Sequence, residues 1–498
     1  MNRDCMIALD AGSGSGRCAI VDAHGRVLGM AAEDWSPRVP DDEPMGAEFD
    51  PEEVWATLCR CAQRALQQAS VDPSRVKSIS ATSQRDGVAF LDDEGHPLHC
   101  STNRDARGVL HAEEITAEFG ELIYRTAGRW PLGLDALARL WWFRVHQPQV
   151  YQRVAQLCMI SDWLIYRLSG QACSEPTNAS SSLLFDVVGQ RWSAELAEAL
   201  GFSASIFPNR YRPGQMVAPL TEAAAVDLGL TAGLPVAAGA GDSQAACLGC
   251  GAFVEGTTTI IAGTTMPVQM VLSRPVFDEQ HRVHLGAYAL PQRWVLESNA
   301  GLAGVALRWF CESFVGYGPA SYEILEAEMR TTEPGGVLAV LGPQVADFRE
   351  LSFPPKATWV FPFLGAGGEL PQRGAFGRSV LENAAFAARG NLEQLVAISQ
   401  HEACSLNLCG GMSRSRVFGQ IVADVCGRPV HVPAVREASV IGTAMCAAVG
   451  ADLYPDLMAA AEAMVHWEDH IEPITSNERA YRGLYRKWLR LFEQARRL

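Results

Sequence analysis

Three short, mainly apolar runs near the start of the chain predict β-strands over residues 5–10, 17–22 and 26–31. Glycine-rich residues 11–16 join the first two strands, and Asp22-Ala-His-Gly25 is typical of a hairpin turn. The chain is therefore expected to begin with three neighbouring strands.

An amphipathic helix pattern follows, with Asp50 as its cap and Pro51 in its first turn. A further strand is predicted over residues 76–82, and a hairpin turns at residues 93–95. Residues 105–170 are predicted to be mainly helical. Strands alternate with helices, as in an α/β domain.

The second half of the chain repeats this order. A strand and a glycine turn are predicted over residues 257–265, and the next strand covers residues 266–272. The later elements are a helix over 379–403, a strand over 428–433 and a C-terminal amphipathic helix over 477–497. Such repetition predicts a duplicated α/β unit with a central cleft.

The length of 498 residues exceeds one ordinary core and predicts two domains of roughly 200–250 residues each. We place them at residues 1–245 and 246–498, with the last helix packing across one domain.

A net charge of −15 argues against nucleic acid and anionic membranes as partners, because both need a basic surface. No apolar run reaches the roughly 18 residues of a membrane span. Anionic ligands must then be held by backbone N–H groups, a metal ion or a few arginines. The start of the chain has no signal-peptide pattern, and a cytoplasmic location is expected.

The fourteen cysteines are scattered, and the one C-x-x-C pair, Cys247 and Cys250, has no second pair nearby. Zinc motifs normally combine two such pairs, or one pair with spaced histidines. Reduced thiols are therefore expected, which suits the cytoplasm.

Two segments with an acid beside glycines carry the candidate chemistry. In the first, Asp10 ends an apolar run and is followed by Gly12, Ser13, Gly14, Ser15, Gly16 and Arg17. One interpretation of Asp10 is a turn residue that caps backbone N–H groups. The other is a carboxylate that holds Mg²⁺ while the loop cradles phosphate oxygens and Arg17 neutralises charge.

The glycine loop differs from the common nucleotide motifs. No Gly-Lys dipeptide occurs in the chain, so a Walker A loop is excluded, and the spacing G-x-G-x-G is not that of a dinucleotide fold. Only three lysines are present, none in a glycine-rich segment. These features argue against P-loop and protein-kinase chemistry.

The second segment places Asp242 after an apolar run and two glycines. Asp242 could be the N-cap of the following helix. It could also accept the proton of an alcohol as phosphate arrives. Gln84, Arg85, Asp86 and Gln244 suit hydrogen bonds to a small polyhydroxylated acceptor.

Two loops of the second half resemble the first glycine loop. Gly263-Thr264 and Gly410-Gly411 each follow an apolar run. Each could be only a tight connection. Together with the first loop they could surround a nucleotide.

At this point the chain resembles the FGGY carbohydrate kinases over essentially its whole length. The resemblance rests on segments 9–15, 239–242, 263–264, 373–377, 382–386 and 410–415. It implies the actin-like, ribonuclease H-like ATPase fold, with an acceptor and phosphate loop in the first domain and nucleotide binding in the second.

The resemblance also implies roles. Asp242 would be the catalytic base, and Asp10 the metal-linked carboxylate. Gly12, Ser13, Gly14, Ser15, Arg17, Gly263 and Thr264 would lie at the phosphates, and Gly410, Gly411 and Ser415 at the adenosine. ATP and Mg²⁺ are the implied cofactors, and a homodimer is compatible with the family.

Within the family, segments 85–87, 103–107, 159–164, 176–178 and 382–385 resemble autoinducer-2 kinases, which implies a linear dihydroxy-dione acceptor. Residues 183–193 resemble xylulokinases, so a pentulose or glycerol-type acceptor remains the alternative. A non-catalytic nucleotide-binding sensor is a third hypothesis. Loss of Asp10 or Asp242 would favour it, and both are present.

Overall fold

The structure is a computed structural model that describes residues 4–349, 355–362 and 370–497. Its chain forms two compact units. The first contains Met1–Phe253, Leu272–Val295 and Ala438–His466, and the second contains Val254–Val271, Leu296–Glu437 and Trp467–Leu498. The predicted functional domains, 1–245 and 246–498, stay a prediction.

Most strands are short. They are β1 (Cys5–Ala11), β2 (Ser15–Asp22), β3 (Val27–Asp34), β4 (Val76–Ser83), β5 (Val88–Leu91), β6 (Pro97–Ser101), β7 (Gln156–Met159), β8 (Cys173–Ser174), β9 (Phe185–Asp186), β10 (Arg191–Trp192), β11 (Asn209–Arg210), β12 (Met216–Pro219), β13 (Pro235–Ala237), β14 (Thr257–Ile261), β15 (Pro267–Leu272), β16 (His284–Ala287), β17 (Trp294–Asn299), β18 (Leu338–Val340), β19 (Thr358–Val360), β20 (Ser405–Cys409), β21 (Val430–Pro433) and β22 (Trp467–Ile471).

The helices vary from one turn to 27 residues. They are α1 (Pro51–Ala69), α2 (Ala112–Ala127), α3 (Ala136–His146), α4 (Pro148–Tyr151), α5 (Ile160–Ser169), α6 (Pro176–Ala179), α7 (Ala194–Ala199), α8 (Glu222–Leu228), α9 (Asp242–Gly249), α10 (Ala303–Phe314), α11 (Pro319–Arg330), α12 (Arg373–Ser399), α13 (Arg416–Cys426), α14 (Ala438–Gly450), α15 (Leu457–Met464) and α16 (Thr475–Ala495).

The main sheet of the first unit has the strand order β12-β13-β4-β1-β2-β3. β1, β2 and β3 form an antiparallel meander, whereas β4 pairs parallel to β1 and β13 parallel to β4. Every residue of β1 is buried, as expected for a central strand covered on both faces. The carboxyl ends of β1, β4 and β13 therefore meet at one edge of the sheet.

The sheet of the second unit repeats this order. Six of its strands follow one another as β22-β21-β20-β14-β15-β17, with β20 parallel to β14 and β21 parallel to β20. Even the antiparallel edge strand is repeated, since β22 pairs with β21 as β12 pairs with β13. The expected duplication of an α/β unit is confirmed.

The predicted bounds of helices and strands agree best with the structure where a capping residue marks the start of the element. Asp50 caps α1 by accepting bonds from the N–H groups of Glu52 and Glu53 at 2.9 and 3.3 Å. α12 begins six residues before the predicted 379 and ends four before 403. Within the segment predicted as mainly helical, β7 separates α4 from α5.

The C-terminal helix α16 packs within the second unit. Its buried stripe contains Tyr481, Tyr485, Trp488 and Phe492. The indole N–H of Trp488 donates to Asn383 Oδ1 of α12 at 2.8 Å. All fourteen cysteines lie in described residues and are free thiols. Among the described residues, no helix is long and apolar enough to span a bilayer.

Helices α9 and α14 of the first unit pack backbone against backbone. A Cβ on Gly249 would lie 2.0 Å from the carbonyl oxygen of Ala438, and a Cβ on Gly442 would lie 2.0 Å from that of Ala245. A backbone carbonyl in a helix cannot move aside as a flexible side chain can. Glycine is therefore required at both positions for this helix packing.

The substitution Gly442→Ala should destabilise the protein by about 1–3 kcal/mol, because the added methyl group must push α14 away from α9. Calorimetric unfolding measures the effect as a lower Tm. The matched control is Gly483→Ala, since Gly483 lies in α16 with open space around its Cβ position. That variant should gain stability from helix propensity. Equal effects of the two substitutions would contradict the close-packing explanation.

Candidate functional site

Three chain segments that carry the predicted site residues meet at one sheet edge of the first unit. Asp10 is the penultimate residue of β1, the loop from Gln84 to Asp86 follows β4, and Asp242 begins α9 just after β13. Since these strands run parallel, their carboxyl ends lie side by side. The fold thus brings together residues that are far apart in the sequence.

Asp10 is almost buried, with 7% of its side chain exposed. Its Oδ2 lies 3.1 Å from the guanidinium Nη1 of Arg17 and accepts a bond from the Ser439 hydroxyl at 3.3 Å. Burial raises the pKa of Asp10, and Arg17 and Ser439 oppose that increase. Both contacts use the same oxygen, Oδ2.

The glycine loop after Asp10 is held by polar side chains from outside the loop. Gln84 Nε2 donates to the carbonyl of Gly12 at 3.3 Å, and Asn103 Nδ2 donates to the Ser13 hydroxyl at 3.1 Å. A Cβ on Gly14 would meet no atom closer than 3.9 Å. Packing therefore does not require glycine at position 14, and the space beside it remains open.

Gln84 itself is fully buried. Its Nε2 bonds to Gly12, and its Oε1 accepts from the N–H of Asn103 at 3.1 Å. The side chain predicted to touch an acceptor thus connects two loops of the protein. Its acceptor contact stays a prediction.

The turn that carries Asp242 is tied to β4. A Cβ on Gly239 would lie 1.9 Å from the carbonyl oxygen of Ala81, and the Thr82 hydroxyl donates to the carbonyl of Ala240 at 2.6 Å. The N-cap of α9 is Gly241, so Asp242 is not the helix cap considered as an alternative. Its carboxylate instead accepts from the N–H and hydroxyl of Ser243 at 2.6 and 3.1 Å.

The Asp242 carboxyl group combines dense surroundings with access to solvent. About a third of its side chain (37%) is exposed, and its Oδ1 lies 3.9 Å from Nε of Arg85. Desolvation raises the pKa of Asp242 to about 6, Arg85 lowers it, and the nearby charge of Asp10 raises it. A carboxylate with this pKa is ionised at neutral pH and can take up a proton.

The loop after β4 supplies further charged groups. Asp86 has a left-handed backbone with φ of 65°, and its carboxylate accepts from Arg129 at 3.0 Å. Its carbonyl accepts from the buried guanidinium of Arg139. These bonds hold the Arg85–Asp86 turn in position beside Asp242.

Gln244 lies one helical residue beyond Ser243 and is buried, with 1% exposure. Within the described part of the chain, its Oε1 has no hydrogen-bond partner. That oxygen would lie 3.2 Å from a Cβ on Gly241. A buried amide oxygen without a partner is costly and suits a bound hydroxyl group.

Sequence reasoning missed Arg129 and His284. Burial lowers the pKa of His284, and the charges of Arg129 and Arg85 lower it further, so the imidazole is neutral beside two arginines. Neither residue stands in a motif that singles it out. Ser439, which contacts Asp10, was missed for the same reason.

A second group of predicted residues meets in the second unit, at the carboxyl ends of β14 and β20. Gly410 has φ of 86°, and a Cβ there would lie 2.7 Å from the carbonyl oxygen of Ala262. A Cβ on Gly304, at the start of α10, would lie 2.2 Å from the carbonyl oxygen of Gly263. Thr264 is exposed, and Gly411 faces open space. The main chain of these two loops is therefore accessible at Thr264 and Gly411.

Ser415 has protein partners. Its hydroxyl accepts from the N–H of Phe418 as the N-cap of α13 and donates to Glu326 at 2.6 Å. Glu326 also accepts from the N–H of Val417 at 3.0 Å. The expected contact of Ser415 with adenosine stays a prediction.

Comparison with known proteins gives the family. The N-terminal domain model of the FGGY family of carbohydrate kinases matches residues 5–249, and its C-terminal domain model matches residues 258–451. The autoinducer-2 kinase of Salmonella typhimurium is 32% identical over 99% of this chain and 95% of its own length. That of Escherichia coli O9:H4 is 31% identical over 98% and 94%.

Solved structures with the same fold include a xylulose kinase from Rhodospirillum rubrum, with a TM-score of 0.83 and 24% identity over 98% of each chain. Plasmodium falciparum glycerol kinase with ADP has a TM-score of 0.83 and 18% identity over 98% of each chain. At these identities the likeness establishes the fold, which is the expected actin-like ATPase fold.

The substitution Arg85→Met should raise the pKa of Asp242 above about 6, by up to about one pH unit, because it removes the nearby positive charge. Asp10→Asn should lower it, because it removes a negative charge. Carbon-13 NMR of aspartate-labelled protein measures both, with the Asp242 resonance assigned by its loss in Asp242→Asn. The control is Arg26→Met at an exposed turn. An unchanged titration in both variants would contradict the coupling.

Proposed function

Because the chain belongs to the FGGY family of carbohydrate kinases, we propose that it transfers the γ-phosphate of ATP to a hydroxyl of an autoinducer-2-type dihydroxy-dione. The full-length similarity to autoinducer-2 kinases supports this acceptor. That the enzyme is a phosphotransferase acting on a hydroxyl of a sugar or polyol follows from the family. Its particular acceptor and the roles of its residues are the proposal.

The observation that carries the mechanism is the pair of coupled carboxylates, Asp10 and Asp242, at one sheet edge. Asp242 takes the proton of the acceptor hydroxyl as that oxygen attacks the γ-phosphorus. The bond from the γ-phosphorus to the bridging oxygen breaks, and ADP leaves. Asp242 can act above pH 6 and loses this capacity as the pH falls through its pKa of about 6.

The acceptor is oriented by groups around Asp242. Arg85 and Arg129 can donate to carbonyl or hydroxyl oxygens, Asp86 can accept from hydroxyls, and the unpartnered Oε1 of Gln244 can accept one more bond. Several donors and acceptors close to Asp242 suit a compact polyhydroxylated molecule. A purely apolar substrate would leave these groups without partners.

The loop from Gly12 to Ser15, with Arg17 beside it, is the proposed phosphate-binding segment of the first unit. Gly14 leaves room for phosphate oxygens near the backbone. In the second unit, Thr264 and Gly411 would offer backbone N–H groups, and Thr264 its hydroxyl, to the nucleotide. The neighbouring N–H groups of Gly263 and Gly410 bond to carbonyl oxygens of the protein and hold the two loops in place.

Asp10 is the residue that would hold Mg²⁺. Among the described residues, no three His, Cys, Asp or Glu side chains are arranged to hold a metal. Mg²⁺ in phosphate sites is commonly bound by one carboxylate, phosphate oxygens and waters, which fits a single buried acid. When bound, the ion would neutralise phosphate charge, and Arg17 would share that task.

The acceptor is tested by ATP-dependent ADP release with the dihydroxy-dione precursor of autoinducer-2, xylulose, ribulose, erythritol and glycerol. We expect the highest kcat/KM with the dihydroxy-dione. A higher kcat/KM with xylulose would contradict the dihydroxy-dione as acceptor and favour the pentulose alternative. Release stimulated by none of them would favour the sensor hypothesis. Reactions without acceptor give the background.

The base is tested by Asp242→Asn, which keeps the size of the side chain but cannot accept the proton. Turnover should fall by about 10²–10⁴-fold with the fold and nucleotide binding retained. Initial rates and equilibrium binding of ADP measure these effects. The control is Asp93→Asn at an exposed turn, which should keep its turnover. Unchanged turnover in Asp242→Asn would exclude Asp242 as the base.

A further inference from the structure

A buried acid, Glu175, precedes the one-turn helix α6 in the first unit and is 1% exposed. Its carboxylate accepts from the N–H and the hydroxyl of Thr177 at 2.7 and 2.8 Å, and from the N–H of Asn178 at 2.7 Å. The Thr177 hydroxyl therefore has its single proton directed at Glu175.

Because that proton is used, the Thr177 oxygen is available as an acceptor for another group. It accepts from the N–H of Gly241 at 2.7 Å. Gly241 directly precedes Asp242. A directional series of hydrogen bonds thus runs from the backbone of the Asp242 turn through Thr177 to Glu175.

The chemistry of Glu175 suits this arrangement. Burial raises the pKa of Glu175 to about 7, although several hydrogen bonds oppose the increase. Burial also raises the pKa of Asp162, and repulsion by the nearby Glu175 raises it further. A buried, strongly hydrogen-bonded acid of this kind is retained at a cost in stability. A packing role alone would be met by an apolar side chain.

We propose that Thr177 and Glu175 are positioning residues that hold the Gly241 peptide, and through it the Asp242 carboxylate, in the geometry for proton transfer. This inference rests on the proposed role of Asp242 as the base. The turn is already tied to β4 through Ala240 and Gly239. The bond from the Gly241 N–H to Thr177 adds a restraint at the residue directly before Asp242.

The variant Thr177→Val keeps the shape of the side chain and removes the hydroxyl. The Gly241 N–H then keeps only its contact with the Glu175 carboxylate, and the Asp242 carboxylate can shift. We expect kcat to fall about tenfold to a hundredfold, since small displacements of a reacting group have effects of this size. The KM for ATP should change little. Thr177→Ser retains the hydroxyl and should recover most of the rate.

The matched control is Ser182→Ala, which also removes a buried hydroxyl. The Ser182 hydroxyl donates to Ala179 and accepts from Leu184, without contact to the Asp242 turn. It should lower Tm without a selective loss of kcat. If Thr177→Val is not obtained folded, Thr177→Ala replaces it. Wild-type kcat in Thr177→Val, or a loss no larger than in Ser182→Ala, would overturn the inference.

The same substitution in an Asp242→Asn background separates this inference from the proposed function. Once the base is absent, Thr177→Val should lower the residual rate no further, because the two residues act through one group. An equal loss in both backgrounds would reject the positioning role and leave Asp242 as the base. Wild-type kcat in Asp242→Asn would reject both.

Discussion

Contact between main chains, permitted by glycine, is the constraint on which the candidate site of the first unit depends. Gly239 brings the Asp242 turn against β4, and Gly249 and Gly442 let α9 and α14 touch. In each case a Cβ would lie 1.9 to 2.0 Å from a backbone carbonyl oxygen, which is too close for any residue except glycine. Asp242 is carried by α9, and Ser439, which bonds to Asp10, by α14. The packing of α9 against α14 therefore positions Asp242 itself and the Ser439 hydroxyl that bonds to Asp10.

The two acids have different environments, and this separates their chemistry. Asp10 is nearly buried and bonded to Arg17 and Ser439, so its carboxylate is held in place. Asp242 is about a third exposed and has Arg85 at 3.9 Å, which leaves it open to a substrate. Burial raises the pKa of both acids, yet only Asp242 lies where a hydroxyl can reach it. This difference in environment supports the proposed roles of Asp242 as the base and of Asp10 as the metal-linked carboxylate.

The parts that could be predicted from the sequence depend on local patterns. The strand that carries Asp10 and the helix cap at Asp50 could be predicted because neighbouring residues determine them. Arg129 and His284 could not be found, because only folding brings a loop after α2 and the start of β16 near Arg85. Gln84 shows that a residue can be predicted from the sequence while its surroundings cannot. Its position was found, but its burial between two loops depends on Asn103, 19 residues away.

Duplication explains why the two units share a strand order and yet differ in chemistry. Asp10 is the penultimate residue of β1, and the penultimate residue of β14, the corresponding central strand, is the buried Ile260. The second unit thus lacks an acid at that strand position, and its loops present glycine backbone and threonine instead. A carboxylate there would repel phosphate without a metal ion to offset it. In the proposed function, the same framework therefore carries proton transfer in the first unit and nucleotide contacts without an acid in the second.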